Sequence, residues 1–344
     1  RAIVSARSSF DSGVWANVDA TARGKVLLRA ATLIRERAES FAWAEVANAG
    51  HTIEDARWEA GAMADVFEYY AGGVDKHMGS VVPTPDAGLG LVLKVPVGVC
   101  GLIVPWNFPM LIATWKLAPA LACGNSVILK PASLTPVTAL MLGELLVEAG
   151  VPAPCVTVLP GPGATVGDAL VADPRVDKIS FTGDSSTGSH LLRTLSPNIT
   201  RISLELGGKS AAIVFDDADL DTVVDALPYS VFANAGQDCC ARSRVLVQRS
   251  VYDDVVNALV ERTGRLVVDG VVADGFSNRG DGSNRIYVAF HPEQIKSATN
   301  NAGTFDPANP DILKQGPRGA FSPATWNIAL LKDADLSTFL HETG

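Results

Sequence analysis

The sequence predicts an α/β fold built on a parallel sheet with helices on both faces. Short runs rich in β-branched residues alternate with helix-length stretches from Gly101 onward, the pattern of strand–helix–strand units. Upstream of Gly101, apolar residues recur at helical spacing. A chain of 344 residues with 47% hydrophobic and 19% charged residues can also bury a sizeable core and divide into two domains.

The elements follow in order. Val26, Ala30, Leu33 and Ile34 form a stripe that predicts a helix over residues 19–37, with Asp19 or Thr21 as its cap. Further helices are expected over 41–48 and 53–70, the latter ending at Gly72-Gly73. Residues 89–99 alternate around Pro96 and read as strands. Strands are then expected at 102–104, 126–130, 156–159 and 178–181, separated by helices at 111–122, 136–149, 165–172 and 186–195. Strands at 201–206, 211–215 and 244–248 and helices at 220–233 and 251–266 complete the pattern. Such sheets bind ligands at the carboxyl ends of their strands.

Composition excludes several classes. A net charge of -9, a pI of about 5.1 and no Lys/Arg runs argue against nucleic acid or anionic membranes as partners. The apolar run 95–115 is interrupted by Pro96, Pro105, Asn107 and Pro109, which fits a buried strand and loop better than a membrane span. Residues 1–10 lack the apolar core of a secretory signal. The start at Arg1 rather than Met suggests a fragment or a processed start. The five cysteines, Cys100, Cys123, Cys155, Cys239 and Cys240, show no CxxC spacing. A zinc site or disulfide framework is therefore not expected, and a reduced, cytoplasmic setting is.

Two stretches carry the chemistry. Leu204-Glu205-Leu206-Gly207-Gly208-Lys209 presents a carboxylate at a strand end before two glycines, and Gly236-Gln237-Asp238-Cys239-Cys240 presents two thiols. A thiolate is a strong nucleophile near neutral pH and a carboxylate can activate water. Together they can run a reaction through a thioester that water cleaves. The plainer alternative is that both cysteines are small core residues and Glu205 a solvated strand end.

These motifs, with Pro105-Trp106-Asn107-Phe108-Pro109, Lys130-Pro131-Ala132 and Phe181-Thr182-Gly183 in the same order, resemble the signatures of the aldehyde dehydrogenase superfamily over residues 5–268. The resemblance implies a Rossmann-like dinucleotide-binding domain over 1–206, with an oligomerisation hairpin near 82–98, and a partial catalytic domain over 207–268. It implies Cys239 as nucleophile, with Cys240 the competing neighbour, and Glu205 as general base for thioester hydrolysis. Asn107 would donate to the oxyanion together with the backbone N–H of Cys239. On an extended backbone adjacent side chains point apart, so only one of the two cysteines is expected to face substrate.

For the cofactor, NAD or NADP, the resemblance implies Lys130 on the adenosine ribose, with a snorkelling lysine as the alternative. Ser133 stands where many NAD-preferring members carry Glu. A Ser would not repel a 2′-phosphate, so NADP is expected to be accepted. Gly163 and Gly167, in Gly161-x-Gly163-x-x-x-Gly167, fit the family's glycine pattern, although the spacing is one longer than a generic dinucleotide fingerprint. Gly183 and Gly188 would set a helix N-terminus near the pyrophosphate. Asp184 replaces the more usual Ser there, an unfavourable charge unless it caps the helix. Leu206 and Gly207 belong to the same cofactor set, and Trp106 walls the cleft or packs in the core. A small-molecule aldehyde is the expected substrate and no metal is required. A homo-oligomer is implied by the resemblance alone. The histidines His51, His77, His190 and His291 have no partner spacing and read as structural.

The character changes after Val268. Residues 270–283 are rich in Gly, Asp and Ser, and 300–323 are loop-like. Residues 287–312 and 335–344 are similar to pieces of phage-type polyvalent proteins, and the chain closes on His341-Glu342-Thr343-Gly344. Those are the opening positions of H-E-x-x-H, without the second His needed for a three-ligand zinc site. The expectation is an unrelated, irregular linker and tail over 269–344. The family's later Glu-x-Phe-Gly-Pro motif is absent, so the alternative to an active enzyme is an inactive truncated remnant or chimeric fragment.

Overall fold

The computed structural model describes residues 1–85, 88–269 and 287–289. They fall into two compact units: Arg1–Ala49 with Ile53–Leu206, and Gly50–Thr52 with the residues from Gly207 onward.

The first unit opens with four helices, α1 (Ala2–Asp11), α2 (Ala20–Glu36), α3 (Ala38–Ala49) and α4 (Ile53–Gly73). Asp19 caps α2 by accepting from the N–H of Ala22 at 3.2 Å, as expected. The helix α1 was not expected from the sequence. Ala6 is fully buried and Ala2, Ile3 and Phe10 pack beside it, a short stripe at spacings of three and four. A hairpin follows, with β1 (Ser80–Val82) antiparallel to β2 (Gly90–Val92). Its side chains are exposed, among them Val81, Val82, Leu91 and Val92. Between 93 and 98 there is no strand, because Pro96 removes a backbone donor.

A five-stranded parallel sheet forms the centre, in the order β5-β4-β3-β6-β7. Its strands are β3 (Val99–Ile103), β4 (Ser126–Lys130), β5 (Val156–Val158), β6 (Lys178–Gly183) and β7 (Arg201–Leu206). The helices between them are α5 (Pro109–Ala122), α6 (Val137–Ala149), α7 (Asp168–Ala172) and α8 (Ser185–Leu195). The strand expected at 102–104 begins three residues earlier, and Val104 is already outside it. A single apolar run in a fully buried strand has no alternation to mark its ends. The helix expected from Thr165 starts at Asp168 instead. A wide π-type turn over Gly163–Gly167 precedes it, a backbone that glycines permit.

Both faces are buried at β3 and β4, and neighbouring residues along each strand point to opposite sides. Cys100, Leu102, Val127 and Leu129 face the layer of α2 to α6. Val99, Ile103, Ile128, Ile179 and Phe181 face α1, α7 and α8. Each fully buried aliphatic side chain contributes about 1.5–3 kcal/mol. Gly101 marks a close approach: a Cβ there would stand 2.6 Å from Ile179 Cδ1 and 3.2 Å from Leu170.

In the second unit, β8 (Ala211–Val214) pairs in parallel with β9 (Arg244–Val247). They pack on α9 (Leu220–Phe232) and α10 (Tyr252–Thr263) through Val214, Leu227, Val245 and Val255. A parallel pair of β10 (Val267–Asp269) with β11 (Tyr287–Ala289) places one strand in the segment expected to be irregular. The other expectations for the tail, His341 and Glu342 included, lie outside the described residues.

Ile128→Ala should cost about 2–5 kcal/mol, because it empties a buried site between two layers. Val81→Ala in the exposed hairpin should stay within about 0.5 kcal/mol of wild type. Urea unfolding of the two variants checks the difference.

Candidate active site

The carboxyl edge of the parallel sheet gathers most of the residues singled out from the sequence. At the ends of β4 and β5, Lys130 is only 5% exposed and its Nζ donates to the Pro131 carbonyl at 2.9 Å. The ammonium therefore turns inward and does not snorkel to solvent. Burial pushes its pKa down. Gly167 lies against it, since a Cβ there would stand 3.7 Å from Lys130 Cε. Ser133 Oγ donates to the Gly161 carbonyl at 2.9 Å, tying the loop after β4 to the glycine loop after β5. Gly161 has φ +146°, a conformation that L side chains rarely adopt. Around Gly163 there is open space.

At the ends of β6 and β7, the parallel register pairs Thr182 with Glu205 and Gly183 with Leu206. Gly188 supports this corner: a Cβ there would meet Leu206 Cδ2 at 2.9 Å. Asp184 caps α8. Its Oδ1 accepts from the N–H of Ser186 at 2.7 Å and of Thr187 at 3.4 Å, and from the Ser186 hydroxyl. The Ser186 hydroxyl first, then the backbone N–H groups, hold the carboxyl below the usual Asp range. The departure from Ser is thus accommodated as a helix cap. It also occupies N–H groups that a helix N-terminus would otherwise turn toward an anion.

Glu205 is exposed at the strand end, on the face shared by Ser180, Thr182 and Ser203. Beneath this face lies a residue that the sequence reading missed. Lys116 is the only charged residue of α5, 8% exposed, and its Nζ donates to Ser180 Oγ at 2.9 Å. Burial pushes its pKa down to about 8, while the Glu205 carboxylate pulls the other way. A lone lysine in an otherwise apolar helix was the available signal.

Trp106 and Asn107 lie in the loop from β3 to α5. Trp106 is 39% exposed, which sets aside its core alternative. Asn107 is partly buried, directly before Phe108 and the Pro109 that opens α5.

Gly207 begins the second unit, with open space around it. Cys239 belongs to the same unit, in a loop of unusual backbone. Asn234, Ala235 and Gly236 are all left-handed, with φ of +49°, +59° and +74°. Non-glycine residues pay for this conformation and cluster at functional sites. Gln237 locks the loop: its N–H and its Nε2 donate to the Asn234 carbonyl at 3.0 and 2.9 Å. The Asn234 side chain donates back to Gln237 O at 3.4 Å. The next residues form a turn, so the expectation that Cys239 and Cys240 point apart is corrected. Both thiols are exposed and their Sγ atoms stand 3.6 Å apart, because a turn lacks the alternation of an extended chain. The Cys239 thiol is pushed up to about 12, by desolvation first, then by Cys240 and by Asp238. Among the histidines, His190 has its Nε2 3.0 Å from Asp168 Oδ1, an exposed pair.

The model of the aldehyde dehydrogenase family matches residues 1–276. The chain belongs to that family. Betaine aldehyde dehydrogenase of Bacillus subtilis (strain 168) is 45% identical over 268 residues, which are 77% of this chain and 54% of the relative. Retinal dehydrogenase 2 of Mus musculus is 42% identical over 78% of this chain and 52% of its own length. Betaine aldehyde dehydrogenase from Staphylococcus aureus, solved in complex with NAD+, superimposes with a TM-score of 0.76 at 40% identity. That match covers 78% of this chain and 53% of the other. The chain therefore spans about half the length of the aldehyde dehydrogenases it matches.

Two measurements check this electrostatic account. Between pH 8 and 10.5 the unfolded chain keeps a proton on Lys116 that the folded chain has lost. The contribution of Lys116 to stability therefore rises with pH across that window. Urea unfolding should show that rise in wild type and a flatter profile in Lys116→Met, with the variant the more stable near pH 7. For the thiol, alkylation of Cys239 in a Cys240→Ser background should still be accelerating above pH 9. Adding Asp238→Asn should move the inflection to lower pH, as mass spectrometry of the labelled peptide would show.

Proposed function

We propose that this chain supplies the cofactor-binding half and the reactive cysteine of an NAD(P)+-dependent oxidation of aldehydes to carboxylic acids. The observation that carries the reading is the parallel register of the central sheet. It collects Lys130, Ser133, Gly163 and Gly167 on one part of the carboxyl edge, and Gly183, Asp184, Gly188, Glu205 and Leu206 on another. The aldehyde dehydrogenase match across the same residues supports it.

These residues fit a dinucleotide. An ammonium has three donors, and Lys130 gives one to Pro131. The remaining donors suit ribose hydroxyls. Glycines at 163 and 167 allow close backbone approach to a phosphate chain, where a side chain would stand in the way. Ser133 brings no negative charge, so both NAD+ and NADP+ are accommodated. When bound, the nicotinamide ring supplies a hydride acceptor.

The chain's own groups do the rest. Cys239 Sγ gives its proton to solvent water and attacks the aldehyde carbonyl carbon. Asn107 and the Cys239 backbone N–H donate to the oxygen as it takes on negative charge. Once the carbonyl carbon is oxidised, the acyl group is held on sulfur as a thioester. Glu205 takes a proton from water, which attacks the thioester and returns the thiol and a carboxylic acid. Lys116, whose pKa burial pushes down to about 8, lies beneath the Glu205 face. The proposed setting is reducing and cytoplasmic, with a homo-oligomer formed through the β1–β2 hairpin. Among the described residues no helix is long and apolar enough to cross a membrane.

A second reading, a catalytically inactive remnant, is favoured by one observation. Ile213 and Leu246 of the small sheet and Phe215 just after β8 are 62%, 49% and 60% exposed, an apolar surface that invites association.

Aldehyde-dependent NAD(P)H formation separates the two readings. Wild type should turn over with either cofactor on a panel that includes betaine aldehyde and retinal. Cys239→Ala should abolish turnover, and Asn107→Ala should lower kcat by about 100- to 1,000-fold. Glu205→Gln should keep a burst of one equivalent and lose the steady state. No aldehyde-dependent signal from folded wild type would establish the inactive reading.

A further inference from the structure

The turn that carries the reactive thiol contains a second arrangement, of three donors. We propose that Asp238, Cys239 and Cys240 form a chelating site for a thiophilic divalent cation, with Zn2+ and Cd2+ as the matching chemistry. The carboxylate oxygen and the two sulfur atoms all lie within 4.8 Å of one another. The two Sγ atoms are 3.6 Å apart. Two thiolates about 2.3 Å from one tetrahedral zinc ion stand about 3.8 Å apart, so the sulfur pair already has the bite of a single ion.

Three features hold the donors in place. Asp238 Oδ1 accepts from the backbone N–H of Cys240 at 2.9 Å, which fixes the carboxylate above the turn. The left-handed run Asn234–Gly236 and its lock to Gln237 set the direction of the chain just before it. Both cysteines are exposed, so an ion enters from solvent without opening the fold.

A vicinal disulfide is the competing use of the same pair. Disulfide-linked residues usually have Cα atoms about 4.4–6.8 Å apart, whereas neighbours across a trans peptide are about 3.8 Å apart. A disulfide would therefore distort the turn, and an ion bridging the sulfurs would not. On binding, two metal–sulfur bonds form, the two thiol protons pass to solvent, and nothing is oxidised or reduced. Three protein ligands leave the fourth tetrahedral position to water. Adjacent cysteines carry no CxxC signature, so the spacing rules of sequence pass over them. Binding needs only these three side chains. Its consequence, that the ion takes the nucleophile out of use, rests on the role proposed above for Cys239.

The test is a titration of the reduced full chain with Cd2+ alone, followed by the ultraviolet thiolate-to-cadmium charge-transfer band. One equivalent should saturate the band, and iodoacetamide should then spare the peptide holding Cys239 and Cys240. Cys239→Ser and Cys240→Ser should each weaken Cd2+ binding by at least about tenfold, and Asp238→Asn by a smaller factor. Cys123→Ser, which removes the other exposed thiol, should leave the titration unchanged. Circular dichroism confirms that each variant is folded; exposed Cys-to-Ser changes leave the core intact. The absence of a saturable band in wild type, or a band that persists in Cys240→Ser, would overturn the proposal. Both results are independent of whether the chain oxidises aldehydes.

Discussion

The parallel ladder between Lys178–Gly183 and Arg201–Leu206 is the constraint on which the rest of the site depends. It sets Thr182 beside Glu205 and Gly183 beside Leu206, joining two motifs that are distant in the chain. Side chains alternate along a strand, so a slip of one residue would turn Ser203 and Glu205 to the opposite face. Apolar packing on one face opposes that slip. Ile202 and Leu204 pack against the α8 layer, and they can do so in only one register. The position of the carboxylate is therefore a consequence of apolar packing around it.

Under that same face, Lys116 shows how function and stability compete. A lysine in α5 costs stability while it is charged, because its ammonium is buried against one hydroxyl and a carboxylate at the strand end. The reward is a cation of adjustable charge near Glu205. Asp184 makes the opposite kind of compromise. It satisfies the first turn of α8 and so stabilises the local fold. In doing so it places a negative charge where a phosphate would be attracted, which weakens the attraction that the helix end alone would exert.

The cysteine loop belongs to a unit with a small core, centred on Val214, Leu227, Val245 and Val255. Its geometry comes from three successive left-handed residues and not from burial. That backbone brings two thiols and a carboxylate together in adjacent positions. Desolvation first, and then that closeness, raises the Cys239 pKa. The reaction proposed for it needs a nearby positive charge or base to free the sulfur. Metal chelation draws on the same closeness in another way, by exchanging the thiol protons for an ion.

How much of this was legible in the sequence depends on the type of signal. Amphipathic stripes and caps marked α2, with Asp19 at its start, and β4 and β7 fell where their composition placed them. The residue types of the site, a thiol after Gly-Gln, a carboxylate before Gly-Gly and a lysine before Pro, were evident as motifs. Strand ends in continuous apolar runs were not, since β3 has no polar alternation to mark its boundaries. By itself the sequence determined the fold class, the alternation of strands and helices from β3 to α8 and which residue types carry chemistry, because these follow from local periodicity and local bonding. The tertiary structure alone decided that Lys130 turns inward, that Lys116 lies under the Glu205 face, and that Cys239 and Cys240 point the same way. Those outcomes depend on contacts between distant segments and on backbone angles that no periodicity encodes.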